Sequence, residues 1–276
     1  MKMLLKILST IMTAMLLACN SDSALLPERD LVVVRAYLYA NEPVTDVQLT
    51  TTYPITSDTT AGLPINDAAV SLEKNGQSYP LIASAGDSGY YHYPGGDLQV
   101  DVGDVFTINV EYQGEFTTAE TTIPQPPNAV TISENELVIE TPTGFPGRGG
   151  LPFDTSSVTV NWQAEDDAFF FVIIEALEEE LTPINEGRFG FFARGIRAFR
   201  SRPTRNNQYP IRQFDLAYLG DHQVRVYKVN QEYADLYAFG LQDSRNLNEP
   251  LSNVQNGLGV FAGFSSQTVE FEVRQE

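Results

Sequence analysis

The sequence predicts an all-β protein that consists of two tandem β-sandwich domains. Three observations support this prediction. Short segments alternate apolar and polar residues with a period of two, which is the pattern of half-buried strands. Turn signals rich in glycine, proline and asparagine separate these segments at short intervals. Thirteen tyrosines and sixteen phenylalanines supply large side chains for a core between sheets.

The first 18 residues have the features of a secretory leader. Lys2 and Lys6 form a positive segment, and an apolar stretch follows at residues 8–17. This stretch is shorter than the roughly 20 apolar residues that cross a bilayer. It leads into the sequence LLAC at residues 16–19, which resembles a bacterial lipobox. We therefore expect residues 1–18 to be a signal peptide and the only cysteine, Cys19, to be lipidated.

Lipidation would make Cys19 the membrane anchor, with residues 19–27 as a short tether. Several acyl chains on one residue give stable anchoring, whereas a single chain binds a membrane only marginally. The mature chain contains no other cysteine, so it forms no disulfide and depends on its core. The alternative is an ordinary cleaved leader that is followed by a chance cysteine.

The charge of the chain argues against nucleic acid as a partner. The full sequence has a net charge of −19. Removal of residues 1–18 takes away Lys2 and Lys6 and no acid, which leaves 15 basic and 36 acidic residues and a net charge of −21. Such a charge repels nucleic acid and bare anionic lipid, and it favours solubility.

The first predicted sandwich covers residues 28–124. Its opening strand, around residues 32–38, alternates valine, alanine and leucine with more polar residues. Asn75-Gly76 between two apolar segments is a strong hairpin signal. A further strand is predicted at residues 105–112. The run PQPP at residues 124–127 cannot join a ladder internally, so we expect it to mark the domain boundary.

The second predicted sandwich covers residues 128–276 and is expected to be of the immunoglobulin or fibronectin type. A short helix is predicted at residues 231–240, where tyrosine and leucine recur near helical spacing. Residues 263–266 predict a turn before the last strand. The other strands are predicted at residues 158–162, 169–177, 221–229 and 269–273.

Three glycines interrupt the apolar run around Val260 and Phe261, namely Gly257, Gly259 and Gly263. Glycine weakens a strand unless the strand bulges or its backbone passes close to another segment. We expect a bulged strand here, and a contact with a partner is the alternative.

The order of several segments resembles a known family. These segments are the leader with Cys19 and the sequences LVVVRAYL, INDAAVSLEKNGQSYPL, GYYHYPG, VGDVFTINVEYQGEFTTAETTIPQPP and NVQNGLGVFAGFSS. Together they resemble the lipoproteins of Bacteroidota that carry a domain of unknown function of the DUF4249 type. The resemblance implies an outer-membrane lipoprotein with two β-domains, encoded near TonB-dependent receptors. It implies no activity and supplies no catalytic residues.

One segment departs from the acidic character of the chain. Residues 183–212 contain seven arginines and a single acid, Glu186, together with several phenylalanines. Arginine and aromatic side chains are enriched where proteins bind one another. We predict a loop that binds a partner protein, an acidic ligand or lipid headgroups. The predicted contacts are Arg188, Arg194, Arg197, Arg200, Arg202, Phe191 and Phe192. The alternative is an insertion that folds back on its own acidic domain.

The sequence gives little indication of catalysis, and we predict no enzyme, no metal site and no cofactor. His92 and His222 are isolated at predicted strand ends, and no zinc or calcium motif is present. The GxSxG motif, which would indicate a serine hydrolase, is absent from the sequence. A hydrolase that uses two carboxylates is a less favoured alternative, with candidates in the acidic runs at residues 165–167 and 178–180.

The leading hypothesis is therefore a non-enzymatic outer-membrane lipoprotein on the periplasmic or cell-surface face. It would act as an accessory module of a TonB-dependent transporter or another outer-membrane machine. The alternative is a stand-alone lipoprotein that binds a glycan or a peptide through exposed rings. Candidates for that role are Trp162 and Tyr90, Tyr91 and Tyr93, and strand alternation predicts that Tyr91 faces opposite to Tyr90 and His92.

Overall fold

One strand of 18 residues runs through both layered cores of the protein. The structure is a computed structural model, and it describes residues 31–52, 62–139, 156–163, 167–184, 197–238 and 252–276. The one helix of this part of the chain, α1, spans Gln231–Ala238, and a short 3-10 turn spans Gln213–Asp215. The strands are β1 (Val32–Tyr39), β2 (Asp46–Thr51), β3 (Ala69–Lys74), β4 (Gln77–Ala83), β5 (Tyr90–His92), β6 (Val105–Tyr112), β7 (Glu115–Thr122), β8 (Asn128–Ile132), β9 (Glu136–Ile139), β10 (Ser157–Gln163), β11 (Phe169–Ala176), β12 (Ala198–Arg200), β13 (Gln208–Arg212), β14 (Gly220–Val229), β15 (Val254–Gln255) and β16 (Leu258–Gln275).

The first core lies between two groups of strands. Strands β16, β1, β2 and β5 pair in that order, and strands β4, β3, β6, β7 and β15 pair in that order. Strand β4 also pairs with β5, so the hydrogen-bonded ladder is continuous from one group to the other. Alternation in β1 sends Val34, Ala36 and Leu38 into this core, where they meet fully buried rings such as Phe106.

The second core lies between strands of the same large sheet and a separate small one. The large sheet contributes β12, β11, β14 and β16 in that order, with β9 on the other side of β16. The small sheet has the order β13, β10, β8. Val158, Val160 and Trp162 of β10 alternate inward against Phe170 and Val172 of β11. The prediction of an all-β sandwich architecture is confirmed, and the helix predicted at residues 231–240 is present as α1.

Strand β16 belongs to both cores. Its first half pairs in parallel with β1, from Val33 opposite Leu258 to Tyr39 opposite Phe264. Its second half pairs antiparallel with β14 and parallel with β9. Phe261 consequently packs in the first core, although it follows the predicted boundary by more than a hundred residues. The division at residues 124–127 stays a prediction.

The prediction of a turn at residues 263–266 is wrong. These residues lie inside β16, where Ser265 pairs with Lys228 and Ser266 pairs with Tyr227. Gly263 is needed for packing and not for a turn, because a Cβ at this position would lie 2.7 Å from the carbonyl oxygen of Thr122. The backbone of β16 therefore passes close to the end of β7, which only glycine permits.

Candidate functional site

An aromatic cluster covers the face of the shared sheet that is opposite to the first core. We define it by six rings, and the ring of Phe264 is central to it. The Phe264 centroid lies 4.9 Å from those of both Tyr39 and Tyr233. The remaining members are Tyr37, Phe171 and Tyr227, and the whole cluster comes from β1, β11, β14, β16 and α1.

Two local patterns build this cluster. Alternation in β1 places Tyr37 and Tyr39 on the face opposite to Val34, Ala36 and Leu38. In β16, residues 260–265 are all buried, because one face lies on the first core and the other lies under the cluster. Helix α1 covers the layer with Tyr233, whose hydroxyl is 2.9 Å from that of Tyr237.

Two of the predicted partner-binding arginines contact the protein itself. The Arg200 guanidinium lies 4.3 Å from the centre of the Phe171 ring and 5.4 Å from that of Tyr233. Arg197 donates hydrogen bonds to three backbone oxygens, those of Ala176, Leu177 and Glu178, at 3.0, 3.4 and 3.1 Å. For these two residues the structure agrees with the alternative of a segment that folds back on its own domain.

The other predicted contact residues fall into two groups. Arg202 is exposed, two residues after the end of β12. Cys19, Arg188, Arg194, Phe191 and Phe192 lie outside the described residues. Arg205 lies three residues after Arg202. It stacks 4.5 Å from the Phe169 ring centre and forms a 3.0 Å ion pair with Asp167. The C-terminal base of the arginine-rich segment is thus fixed to the sheet by stacking and hydrogen bonds.

Burial controls the chemistry of the phenols in the cluster. It raises the pKa of Tyr37 to about 12, against the opposing charge of Arg35. It also raises the pKa values of Tyr39 and Tyr233 above their ordinary range. A phenol of ordinary pKa is already neutral at physiological pH, and burial keeps these hydroxyls protonated, and able to donate hydrogen bonds, to a higher pH. Tyr39 donates to the Asp46 carboxylate at 3.4 Å.

A cleft of about 380 Å³ opens at the end of the first core where β1 terminates. Its walls are the β1–β2 turn, with Glu42, and the segment 93–101, with Tyr93 and Asp101. The Tyr93 hydroxyl donates to Asp97 at 2.7 Å, and this hydrogen bond raises the pKa of Tyr93. Carboxylates beside a phenol ring suit a ligand that donates hydrogen bonds, such as the hydroxyls of a sugar or the amides of a peptide.

Lys74 fixes one wall of the cleft. Its ammonium group lies 2.5 Å from Asp104, 3.5 Å from Asp101 and 2.8 Å from the backbone oxygen of Gln99. Burial alone would lower the pKa of Lys74, but the bonds and charges of Asp104 and Asp101 outweigh it and raise the pKa. The opposite wall is tied to strand β14, whose Arg225 lies 3.8 Å from Glu42.

The rings proposed for a glycan or peptide site divide between the core and the surface. Tyr91 is buried in the first core and Trp162 in the second, so neither can contact a ligand. Tyr90 lies on the opposite face to Tyr91, as alternation predicts, and it is hydrogen-bonded and stacked with Arg35. Tyr93 alone of the four lines the cleft.

The two histidines are not brought together. His92 lies on β5, with Nδ1 3.0 Å from the Ser84 hydroxyl. His222 is buried on β14, where Nδ1 donates to the Gly220 oxygen at 2.9 Å and burial lowers the pKa of the ring. In the described ranges no three side chains of His, Cys, Asp or Glu are close enough together to hold a metal ion.

The acidic runs considered for hydrolysis have structural partners where they are described. Asp167 is paired with Arg205, and the Glu178 carboxylate accepts a hydrogen bond from the Asp221 backbone at 3.3 Å. Residues 165 and 166 lie outside the described residues. The sequence does not predict the cleft, because its two walls are about fifty residues apart and neither wall carries a motif.

The two cores and their shared strand define an all-β protein of layered sheets. The family model described as domain of unknown function (DUF4249) matches residues 19–270. The chain therefore belongs to this family, in agreement with the resemblance that its sequence segments carry. No curated protein matches it.

Two solved structures illustrate the similarity to proteins outside the family. One is entitled "Cytokine receptor complex - Crystal form 1A", at 13% identity and a TM-score of 0.25, over 87% of this chain and 95% of that chain. The other contains domains A168-A170 from titin, at 12% identity and a TM-score of 0.20, over 73% of this chain and 61% of that chain. Scores this low carry no argument about function. Among the described residues, no helix has the length and apolar character needed to cross a membrane.

Proposed function

We propose that this chain is a non-enzymatic outer-membrane lipoprotein of Bacteroidota, anchored through Cys19, that serves as an accessory module. Its partner would be a TonB-dependent transporter or another outer-membrane machine. The observation that carries the proposal is the short sequence distance between Cys19 and the β-body. Only 11 residues separate Cys19 from Leu31, where the described β-body begins. A short tether of this kind suits a protein that works beside a membrane component.

The arginine-rich segment supplies the partner-binding surface in this proposal. Arg197 and Arg200 hold the base of the segment on the sheet, and Arg202 is exposed next to them. A fixed base reduces the entropy that a partner must remove on binding. Arg188, Arg194, Arg202, Phe191 and Phe192 are the proposed contacts, and Arg197 and Arg200 act by positioning the segment.

The test is purification from the native membrane in mild detergent, with partners quantified by mass spectrometry. One variant changes Arg188, Arg194 and Arg202 to Ser. A matched control changes Arg35, Lys228 and Arg274 to Ser, which removes the same charge outside residues 183–212. We expect the partner yield to fall at least about tenfold in the first variant only, as for loss of an interface hot spot. An unchanged partner yield in both variants would show that the arginine-rich segment is not part of the interface.

Anchoring is tested separately with Cys19→Ala, which we expect to release the protein from the membrane fraction. Full retention of this variant in washed membranes would contradict the lipid anchor.

The cleft favours a second candidate function, a stand-alone lipoprotein that binds a glycan or a peptide. Glu42, Tyr93 and Asp101 surround a space large enough for a small sugar or a few residues of peptide. The same purification distinguishes the two functions. A stoichiometric outer-membrane protein supports the accessory role, whereas its absence from every variant, together with binding on a glycan or peptide array, supports the stand-alone role.

A further inference from the structure

Four large apolar side chains are exposed at one end of the first core. The exposed fractions are 71% for Leu63 and 64% for Phe116, with 36% for Leu31 and 38% for Leu258. Single exposed apolar residues are ordinary, but several at one end of a domain indicate a surface that is covered in use. We call these four residues the apolar end.

Backbone pairing shows that the four residues lie at the same end. The backbone N–H of Thr52 donates to the Leu31 oxygen, and that of Thr51 donates to the Leu63 oxygen, at 3.1 and 2.9 Å. Leu258 is paired with Val33, two residues after Leu31. On the opposite side of the core, the side chain of Asn256 donates to the Phe116 oxygen at 3.2 Å.

The chain enters the β-body at this same end. Leu31 is the first described residue, and β1 and β16 both start here and run in parallel away from it. The segment 20–30 joins Leu31 to Cys19. Fully extended, such a segment reaches at most about 40 Å. A lipid on Cys19 would therefore keep the apolar end within this distance of the bilayer.

We propose that the apolar end rests on the membrane that holds the Cys19 lipid, with Leu63 and Phe116 inserted among the lipid headgroups. This inference rests on the proposed function, because it requires the anchor. Anchoring makes the contact intramolecular, so a few apolar side chains suffice where they would not recruit a free protein. The second core, to which β16 leads, then lies on the side away from the membrane.

Charge defines the kind of lipid. Glu115 precedes Phe116, and Glu111 is paired with Phe116 across the β6–β7 hairpin, and both carboxylates are exposed. Like charges repel, so the apolar end fits a zwitterionic surface better than an anionic one.

The experiment uses the full lipidated chain in phosphatidylcholine vesicles. Once Cys19 is lipidated, the chain has no free thiol, so a single added cysteine takes an environment-sensitive fluorophore. The reporters are Leu63→Cys and Phe116→Cys. The matched control is Phe214→Cys, because Phe214 is 75% exposed and follows β13 at the end of the second core remote from the apolar end. All three substitutions are on the surface, and circular dichroism checks that each variant is folded.

We expect the fluorophores at positions 63 and 116 to shift to the blue and to be quenched by lipids with brominated acyl chains near the headgroup. The fluorophore at position 214 should show neither effect. Addition of anionic lipid should reduce the quenching at positions 63 and 116.

The outcomes separate the inference from the proposed function. If the protein sediments with the vesicles but all three fluorophores respond alike, the apolar end does not face lipid, and the anchor stands. A blue shift without lipid quenching would mean that protein covers this end, which also overturns the inference. If the chain does not sediment, the anchor itself is absent and both ideas fail.

Discussion

The two halves of β16 show how one strand meets two different environments. The first half lies beside β1, and from residue 260 to residue 265 it is buried on both faces, by the first core and by the aromatic cluster. In the second half, Phe271 and Val273 point into the second core, and the residues between and beside them reach the surface. The first half therefore reads as a continuous apolar run with glycines, and the second half as an alternating strand.

This difference explains which substitutions should destabilise each half. Burial on both faces removes the freedom to move away from a neighbour, so the first half depends on ring packing and on glycine. The second half has a solvent side, and its inward residues pack against one core. Three predictions test the contrast, beginning with the largest expected effect.

The first prediction compares two phenylalanines of β16. Phe264 has five aromatic rings of the described residues within 6.4 Å of its ring centre, whereas the corresponding ring neighbour of Phe271 is His222 at 5.5 Å. Truncation of a buried Phe costs about 3–5 kcal/mol of unfolding free energy. Because ring pairs add to this cost, we expect Phe264→Ala near the upper end and Phe271→Ala near the lower end. Urea denaturation measures both, and equal losses would contradict the contrast.

The second prediction concerns the glycines. Gly259 has φ +107°, and a Cβ there would lie 2.0 Å from the Val34 oxygen, so Gly259→Ala combines strain with a backbone clash. Gly76, in the β3–β4 turn, has φ +77° and nothing within 4 Å of such a Cβ, which makes Gly76→Ala a control for strain alone. We expect a loss of about 3 kcal/mol for the first and about 1 kcal/mol for the second. Comparable melting temperatures would mean that β16 can move away from β1.

The third prediction concerns acid and the second half. His222 is paired with Phe271, and burial lowers the pKa of His222 below its unfolded value. The unfolded state therefore binds the proton first, and the contribution of His222 to stability is lost as the pH falls below about 6.5. The unfolding free energy should decrease from about pH 7.5 to about pH 5.5, by at most about 1.4 kcal/mol per pH unit for this proton. His222→Phe keeps a ring in place, and it should remove part of this slope; an unchanged slope would exclude His222 as its source.

Much of the fold could be predicted, because local patterns decide it. Strict alternation identified β1, and Asn75-Gly76 with its φ values of 53° and 77° forms the expected hairpin turn. The first half of β16 was harder, since its pattern is set by neighbours more than a hundred residues away. Gly263 and Ser265 read as a turn, although contact with β7 and pairing with β14 make them strand.

The candidate sites depend even more on distant contacts. Composition marks the segment that contains Arg200 as unusual, but only the tertiary structure shows that Arg200 stacks on Phe171. Trp162 and Tyr91 are candidates for a ligand site because of their aromatic rings. Alternation alone does not tell which face of a strand points to the core and which could contact a ligand. The cleft beside Tyr93 needed the pairing of Asn41 with Val100, which no local pattern encodes.

The parallel arrangement of β1 and β16 has a mechanical consequence. If the protein is held at Leu31 and pulled at its far end, the two strands are loaded in opposite directions along their length. Their seven residue pairs then share the load in shear and must break together, whereas an unzipped hairpin breaks one pair at a time. With 18 residues at about 3.3 Å each, β16 spans roughly 60 Å. It would therefore transmit a pulling force directly from the far end of the protein to the tethered end.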